Sequence, residues 1–353
     1  MLRAITRQLK LGDTLIRSKL ALLTIAALLV SAATGLTSQA SAADSLTGAG
    51  STLLAPLMDQ WRQDYKNKTG TDITYGAVGS GAGIQQITAR SVDFGASDAP
   101  LKPSQAQACN GCVQIPWGLT AVTASYNLPG VPRLKLTPKI LAGIYLGSIS
   151  SWNSPLIKKA NPGVNLPSTK VTPAFRSDGS GDTYAWTNYL WKVSSPWRSK
   201  VGIYATSVNF PTGVGGRGND GVASIIKSTP GAIGYISASY AISHGLFVAA
   251  VQNAAGKYIY PNLKNIEQAA ATIRRIPASN EVHIVSPSKR LKKAYPISTF
   301  TYAIVPKSSP KKDALSKFIL YAINAGQKFG AALDFAPIPS SVKAAATRTA
   351  KSL

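Results

Sequence analysis

The sequence alternates short β-rich runs with segments whose apolar residues recur at helical spacing. The β-rich runs are residues 72–78, 122–128, 170–175, 232–236 and 300–305. Strands that alternate with helices are typical of α/β proteins with a mostly parallel sheet. The pattern therefore predicts an α/β fold.

Three segments have the apolar spacing of amphipathic helices, and we assign their apolar faces to the core. The first ends before Gly70, a glycine that predicts the end of the helix. Three further stretches rich in proline or glycine predict long loops, at residues 129–138, 162–173 and 213–221. The apolar residues of the three helices are Leu53, Leu57, Trp61 and Tyr65; Trp186, Tyr189 and Leu190; and Leu315, Phe318, Ile319 and Ala322.

The first 42 residues have the three parts of a secretory signal peptide. An apolar run from Leu20 to Leu36 ends before the cleavage pattern Ala40-Ser41-Ala42, and no stop-transfer pattern follows it. We expect residues 1–42 to be removed and the mature chain to begin near Ala43, exported to a periplasm or to the outside of the cell. The basic residues before the apolar run are Arg3, Arg7, Lys10, Arg17 and Lys19.

The length of the chain predicts more than one domain. Of the 353 residues, about 310 remain after the signal peptide, which is more than one hydrophobic core usually accommodates. Two domains are therefore expected.

The chain is strongly basic, with a formal net charge of +24. Without the signal's five basic residues and Asp13, the mature chain is left near +20. Its densest basic run, from Lys289 to Lys293, has one aromatic residue beside it rather than interleaved aromatics, so we expect no nucleic-acid partner. We favour a solvated basic surface that steers small anions inward.

Two cysteines, Cys109 and Cys112, are the only ones in the sequence. In an exported protein this pair favours a structural disulfide over a redox motif, because no thioredoxin-like sequence surrounds it. The two histidines, His244 and His283, do not sit at ligand spacing from another candidate. We therefore expect no metal site and no cofactor.

Three turns rich in glycine and hydroxyl residues each stand directly before a helical pattern, at residues 48–52, 79–83 and 178–183. A helix N-terminus exposes unpaired N–H groups and a partial positive charge, and glycine lets an anion approach the backbone. Each turn taken singly is also what an ordinary N-cap looks like. Three of them, with Arg176 two residues before the third, predict a dry anion site.

Carboxylates near these turns refine the prediction. Asp178 and Asp182 lie inside the third turn, and Asp98 lies in a segment of small residues. A carboxylate beside an oxyanion is repulsive unless the anion brings a proton, which phosphate has at neutral pH and sulfate lacks. We favour a binding role for Asp98; Asp178 could instead orient Arg176, and Asp182 could act only on the helix dipole.

Catalytic patterns are missing from the sequence. No G-x-x-x-x-G-K-[ST] loop occurs, and no G-x-S-x-G elbow has a histidine partner. A nucleophile at Ser80 or Ser180 would need a base, and none is visible. We expect a protein that is not an enzyme.

Several motifs resemble the phosphate-binding proteins of bacterial Pst ABC transporters. They appear in family order and cover nearly all of the mature chain, so the match is specific. These motifs occupy residues 46–52, 92–101, 176–181, 215–221, 230–235 and 295–299.

The resemblance implies a two-lobed periplasmic-binding-protein fold of type II, with a ligand cleft between the lobes. Residues 43–118 and 297–353 would form lobe I, and residues 119–296 lobe II. The cleft would collect the three turns.

The resemblance also implies a set of phosphate-binding residues. Within it, Asp98 would accept the proton of phosphate and Asp178 would pair with Arg176. The set comprises Ser51, Thr52, Leu53, Ser80, Asp98, Arg176, Asp178, Ser180, Gly181 and Asp182.

Two departures from the family pattern stand out. Many members carry threonine where this chain has Asp182, so this carboxylate would be a second proton acceptor or would contribute only its N–H group. No cysteine precedes Cys109, so we expect no lipid anchor.

The expected function is therefore that of an extracytoplasmic solute-binding protein. It would bind inorganic phosphate with high affinity, act as a monomer and deliver the ion to the membrane permease of an ABC importer. The alternatives are an extracellular phosphatase and a phosphate scavenger that works without a transporter.

Overall fold

The computed structural model describes residues 45–353. The predicted signal peptide lies outside these residues. Within the described part of the chain, no helix is both long and apolar enough to cross a membrane.

The described residues form an α/β fold in which strands and helices alternate along most of the chain. The strands are β1 Ser45–Gly50, β2 Asp72–Gly76, β3 Phe94–Ser97, β4 Cys112–Tyr126, β5 Lys135–Leu136, β6 Thr172–Arg176, β7 Val214–Gly216, β8 Ala232–Ser237, β9 Phe247–Val248, β10 Ala250–Gln252, β11 Tyr258–Ile259 and β12 Ser298–Pro306. The α-helices are α1 Ala55–Thr69, α2 Ser80–Thr88, α3 Pro103–Ala108, α4 Pro138–Tyr145, α5 Pro155–Ala160, α6 Gly181–Val193, α7 Ser195–Lys200, α8 Gly218–Ser228, α9 Ala238–Ser243, α10 Leu263–Ala270, α11 Lys312–Ile323 and α12 Ser340–Lys351.

The main sheet is mixed rather than mostly parallel. Its strands lie in the order β2-β1-β3-β12-β4-β8-β6-β7, and β9 adds a short pairing to β4. The two flanks are parallel, since β1 pairs with β2 and β3, and β6 pairs with β7 and β8. The centre is antiparallel, because β12 and β4 run against their neighbours. The prediction of a mostly parallel sheet was wrong at this centre.

Strand β4 connects the two flanks of the sheet. Its first part pairs with β12, up to Ala121 opposite Ser298, and its last part, from Val122 to Tyr126, pairs with β8. The sequence predicted only the last part of this strand. Pro116 removes a backbone donor, and the register shifts beside it: the consecutive residues Thr301 and Tyr302 of β12 face Gly118 and Pro116, which leaves one extra residue in β4.

Helix α1 forms where the apolar spacing predicted it. Leu57, Trp61 and Tyr65 are buried, and the helix ends at Gly70, which is in the left-handed conformation. Trp61 packs edge-on against Trp117 of β4, with ring centroids 5.4 Å apart. This aromatic packing fixes α1 on the β1 side of the sheet.

A second aromatic cluster lies on the other side of β4. Trp186 of α6 stacks on Tyr235 of β8 at 5.3 Å, and Tyr145 of α4 packs against both rings. The hydroxyl of Tyr145 donates to the carbonyl of Ala174 in β6. Both predicted aromatic faces are therefore core.

All three predicted loops contain some regular structure, and β6 begins inside the stretch 162–173. Residues 213–221 form β7 and the start of α8, and the stretch 129–138 contains β5. Strand β7 exists because Val214 to Gly216 pair with β6, a partner distant in sequence. The glycines of the first predicted turn also lie in a strand, since Gly48 and Gly50 belong to β1.

Cys109 and Cys112 form a disulfide that joins the end of α3 to the start of β4. Arg90 covers it, with Nη1 3.3 Å and 3.2 Å from the two sulfur atoms and Nη2 donating to the carbonyl of Cys109. These contacts fit the staple favoured from the sequence.

Candidate functional site

The carboxyl ends of the parallel strands converge on one buried cluster. On one flank, Ser51 follows β1 and Asp98 follows β3, and the two strands are hydrogen-bonded neighbours. On the other flank, Arg176 ends β6 and Ser237 ends β8. Such an edge is where open α/β sheets usually bind ligands.

The three predicted turns meet at this edge. The N–H of Gly181 donates to Ser80 Oγ at 3.1 Å, and the N–H of Gly81 donates to the carbonyl of Gly179 at 2.9 Å. The N–H of Gly79 donates to the carbonyl of Gly50. Turns that are far apart in sequence thus form one cluster.

The sequence between Ser180 and α6 folds as a capped helix start. Ser180 Oγ accepts from the N–H of Thr183, the usual N-cap arrangement. An added methyl group at Gly181 would lie only 2.4 Å from Asp98 Cβ. Glycine is required there because the tip of α6 touches the Asp98 side chain.

Asp98 is the buried carboxylate of the first flank, with 1% of its surface exposed. Its Oδ2 accepts a 2.6 Å hydrogen bond from Ser51 Oγ, and its N–H donates to Ser80 Oγ. Burial, followed by the negative charge of Asp182, raises the pKa of Asp98 to about 7. Asp98 is therefore able to carry a proton at neutral pH.

Arg176 supplies the cation of the second flank, and it is held by two carboxylates. Its Nε donates to Asp178 Oδ1 at 2.7 Å, and its Nη1 donates to Asp182 Oδ2 at 2.6 Å. Burial alone would lower the pKa of Arg176, but these two carboxylates raise it overall. Arg176 stays charged.

Asp178 and Asp182 respond differently to Arg176. Burial would raise the pKa of Asp178, but the hydrogen bonds and charge of Arg176 outweigh it and lower that pKa. For Asp182, which is only 1% exposed, burial dominates and raises the pKa despite Arg176. The contacts of Asp178 fit the orienting role considered from the sequence, and Asp182 does more than face the helix dipole.

Several polar groups in this cluster have no partner among residues 45–353. No residue in the described range 45–353 provides an acceptor for four buried backbone N–H groups, those of Thr52, Leu53, Ser80 and Asp182. Two carboxylate oxygens, Asp98 Oδ1 and Asp182 Oδ1, are likewise buried without a partner among these residues. Since buried polar groups are nearly always paired, this combination marks a site for a polar ligand.

The structure brings together every residue that the sequence proposed for the site. Ser51, Thr52, Leu53, Ser80 and Asp98 lie on the β1–β3 side. Those on the β6 side are Arg176, Asp178, Ser180, Gly181 and Asp182. Their roles toward a ligand stay predictions.

Asn219 and Tyr235 are site residues that the sequence analysis missed. Asn219 Nδ2 donates to Thr52 Oγ1 at 2.8 Å and to Asp182 Oδ2 at 2.9 Å. Tyr235 accepts from the N–H of Arg176 and bonds the hydroxyl of Thr183. The glycine-rich pattern predicts a loop over Gly218-Asn219-Asp220, whereas the structure has the start of helix α8 there. A polar residue at a helix start was the available signal.

The two histidines lie apart from this cluster. His244 bonds the carbonyl of Tyr240 and lies 3.9 Å from Asp220, and His283 pairs with Glu281. In the described part of the chain, no group of three His, Cys, Asp or Glu side chains could hold a metal ion.

A two-lobed α/β fold with a buried polar cluster at the ends of both parallel flanks defines a solute-binding protein of the periplasmic-binding-protein class. Residues 37–325 match the sequence model of the PBP superfamily domain. The chain belongs to this superfamily and, within it, to the PstS family of phosphate-binding proteins. The family resemblance found in the sequence is thereby confirmed.

Two curated relatives carry this assignment. Phosphate-binding protein PstS of Xylella fastidiosa is 39% identical over 304 residues, which cover 84% of this chain and 82% of that protein. Phosphate-binding protein PstS of Pasteurella multocida is 36% identical over 305 residues, which cover 85% of this chain and 88% of that protein.

Solved structures share the fold at lower sequence identity. A high-affinity periplasmic phosphate-binding protein, solved with bound phosphate, superposes with a TM-score of 0.70 at 20% identity, covering 85% of this chain and 92% of that one. A phosphate-binding protein from Stenotrophomonas maltophilia superposes with a TM-score of 0.68 at 19% identity, covering 87% of this chain and 94% of that one.

Proposed function

We propose that this protein binds one inorganic phosphate ion at the cluster around Asp98 and Arg176 and delivers it to an ABC importer. The family supports the choice of ligand, since its members are named for phosphate binding. The unpaired buried polar groups support the choice of this cluster as the binding site.

The match between unpaired donors and acceptors carries the proposal. The four buried N–H groups are donors, so they can be satisfied by a ligand that accepts several hydrogen bonds. Asp98 Oδ1 and Asp182 Oδ1 call for a ligand that also donates. Protonated phosphate does both, whereas sulfate only accepts, so sulfate would leave a buried carboxylate against a negative oxygen.

The charges of the cluster agree with an anion that brings a proton. The carboxylates of Asp178 and Asp182 hold the guanidinium of Arg176, and a third carboxylate, that of Asp98, lies in the same cluster. An ionised Asp98 facing dihydrogen phosphate and a protonated Asp98 facing hydrogen phosphate contain the same number of protons. Phosphate can therefore share one proton with Asp98 in either form.

Asp182 is proposed as a second acceptor of a phosphate proton. Its Oδ2 is held by Arg176 and Asn219, while its Oδ1 is buried without a partner in the described chain. A second carboxylate favours the more protonated form of phosphate, because each extra negative charge on the ligand adds repulsion.

We assign residues 43–118 and 297–353 to lobe I and residues 119–296 to lobe II. Pairing along β4 supports this division, since its partner changes from β12 to β8 near Ala121. The site residues then divide between the lobes, and closure would bring them together around the ion.

We further propose that the protein is exported, that it transfers phosphate to permease subunits and that it performs no catalysis. The first 42 residues support export. Binding without chemistry is supported by the positions of His244 and His283, whose bonds lie outside the cluster. Ser80 Oγ and Ser180 Oγ instead accept backbone N–H bonds.

Calorimetric titration of the purified, phosphate-free protein tests the proposal. We expect one phosphate per chain and no release of phosphate from a chromogenic phosphate ester. A protein that does not bind phosphate would refute the binding role. Steady hydrolysis of the ester, lost on substitution of Ser80 or Ser180, would instead establish a phosphatase.

A further inference from the structure

Asn219 is the buried residue that connects the two flanks of the site. It lies in the first turn of α8 and is fully buried. Its partners come from three distant segments: Thr52 before α1, Asp182 in α6 and Ser237 at the end of β8. Within residues 45–353, Asn219 is the residue that bonds both Thr52 and Asp182.

The backbone fixes the orientation of the Asn219 amide. The N–H of Ser237 is a donor only, and it lies 2.8 Å from Asn219 Oδ1. The amide oxygen must face Ser237, so the NH₂ group must face Thr52 and Asp182. One hydrogen of Nδ2 is available for each of these two oxygens.

This orientation determines the role of the Thr52 hydroxyl. Thr52 Oγ1 accepts from Asn219 Nδ2 at 2.8 Å and from the N–H of Asn219 at 3.3 Å. A hydroxyl oxygen accepts two hydrogen bonds and donates one. Its acceptor positions are thus filled, and no acceptor among residues 45–353 takes its hydrogen, so toward a ligand the Thr52 hydroxyl can act only as a donor.

We infer that Asn219 is a positioning residue for phosphate, which it does not itself touch. It turns the Thr52 hydroxyl into a donor toward the ion and ties that hydroxyl to Asp182 on the opposite flank. The bond between Asn219 and Thr52 therefore acts as a latch that holds the site closed. This inference rests on the proposed function, because the donor serves a bound anion.

These hydrogen bonds predict an unusual order of phosphate affinity among Asn219 variants, in which aspartate binds more weakly than alanine. Asn219→Ala removes both side-chain donors and should weaken phosphate binding about ten- to fiftyfold, mainly through faster dissociation. Asn219→Asp keeps the shape but places an acceptor opposite Thr52, which would draw the hydroxyl hydrogen away from the ion. It also adds a carboxylate beside Asp182, so it should bind at least about tenfold more weakly than the alanine variant.

A double-mutant cycle with Thr52 tests whether Asn219 acts through that hydroxyl. Phosphate affinity and dissociation rate are measured for wild type, for Asn219→Ala, Asn219→Asp and Thr52→Ala, and for the double alanine variant. Thr52→Ser retains the hydroxyl, so Asn219→Ala should still weaken binding in that background. In the Thr52→Ala background, the same substitution should change the affinity less than about threefold.

Matched controls and thermal unfolding separate this role from a merely structural one. Asn165→Ala, at an exposed position, should bind phosphate like wild type. A structural role predicts that the nearly isosteric aspartate is milder than alanine, and that the effects at Asn219 and Thr52 are additive. Either result, in variants that unfold like wild type, would overturn the inference; the aspartate variant keeps the test open if the alanine variant does not fold.

Failure of the proposed function would look different. In that case the wild-type protein itself would not bind phosphate. The latch would be refuted instead if wild type bound phosphate and the Asn219 variants matched Asn165→Ala.

Discussion

Asp98 and Asp182 are two buried carboxylates near a single cation. Arg176 contacts Asp182 directly, whereas the side chain of Asp98 accepts hydrogen bonds from the hydroxyls of Ser51 and Ser80. Burial raises the pKa of both carboxyls, and their mutual repulsion adds to this for Asp98. The chemistry of the site therefore depends on where one proton lies.

The raised pKa of Asp98 predicts how the stability of the phosphate-free protein varies with pH. The folded protein holds a proton on Asp98 up to about pH 7, while the unfolded chain releases it near its ordinary pKa of 3.8. Between these values the folded state binds more protons, so its free energy of unfolding falls as pH rises. The fall is about 1.4 kcal/mol for each pH unit in this range.

Urea unfolding of wild type and Asp98→Asn between pH 4.5 and 8 measures this effect. The stability of wild type, taken relative to the asparagine variant, should fall by about 1.4 kcal/mol for each pH unit as the pH rises toward 7. Above that pH the difference between the two proteins should become constant. Parallel curves over the whole range would mean that Asp98 does not titrate there.

Asp182 predicts a pH dependence of phosphate affinity. Asp182→Thr removes one negative charge beside the bound ion and leaves Arg176 less compensated. The variant should bind phosphate about tenfold more tightly than wild type at pH 8.5 and similarly at pH 6, because the doubly charged ion dominates at high pH. Calorimetric titration with phosphate between these two pH values measures how the affinity of each protein changes with pH.

Asp220→Asn is the matched control for this comparison. The side chain of Asp220 is 76% exposed, and its substitution should leave the pH profile unchanged. Identical profiles for wild type and Asp182→Thr would remove Asp182 from the site.

At the scale of elements, close packing of α2 against β1 fixes the position of Ser80. An added methyl group at Gly83 would lie 2.4 Å from the Cα of Gly50 and 2.6 Å from the carbonyl oxygen of Ala49. These are backbone atoms of β1, so the helix itself would have to move.

Gly83→Ala should therefore destabilise the protein, although alanine is the better helix former. The gain in helix propensity is about 1 kcal/mol, whereas overpacking against a rigid backbone costs about 1–3 kcal/mol or more. We expect a net loss of stability in urea unfolding, together with weaker phosphate binding. Gly76→Ala is the control, since its methyl group would meet atoms only at an ordinary 3.8 Å; equal stability of the two variants would contradict the packing argument.

Elements were predictable from the sequence where their pattern is local. The spacing of Leu57, Trp61 and Tyr65 located α1, and the serine-glycine turns located Ser80 and Ser180. Strand β7 was missed because three residues with two glycines carry no strand pattern of their own. Pairing with β6, which lies nearly forty positions earlier, creates that strand.

At the scale of the whole molecule, the difference between local patterns and long-range contacts explains why the sequence predicted Ser80 and Asp98 but not Asn219. Ser80 lies in a recognisable turn, and Asp98 lies in a recognisable segment of small residues. Asn219 depends on Thr52, which is 167 positions away, and no local pattern encodes such a distance. The sequence thus predicted which residues meet in this buried cluster but not the contact that connects its flanks.

The whole molecule also combines a basic exterior with an acidic binding cluster. The full chain carries a formal charge of +24, while the buried cluster contains three carboxylates, those of Asp98, Asp178 and Asp182, and Arg176 is paired with the last two. A positive exterior concentrates anions of every kind near the protein. Selection must therefore occur in the buried cluster, by the proton that the ion carries.

The ratio of sulfate to phosphate dissociation constants, measured for wild type and for Asp98→Asn, tests this claim most directly. For wild type at pH 8.5, where the Asp98 carboxyl is ionised, we expect a ratio of about 10⁴ or more, because sulfate brings no proton and leaves this carboxylate unpaired. The asparagine variant offers a neutral donor instead, and the ratio should fall below about 10². A wild-type protein that binds both anions equally, or a ratio unchanged by Asp98→Asn, would contradict the account.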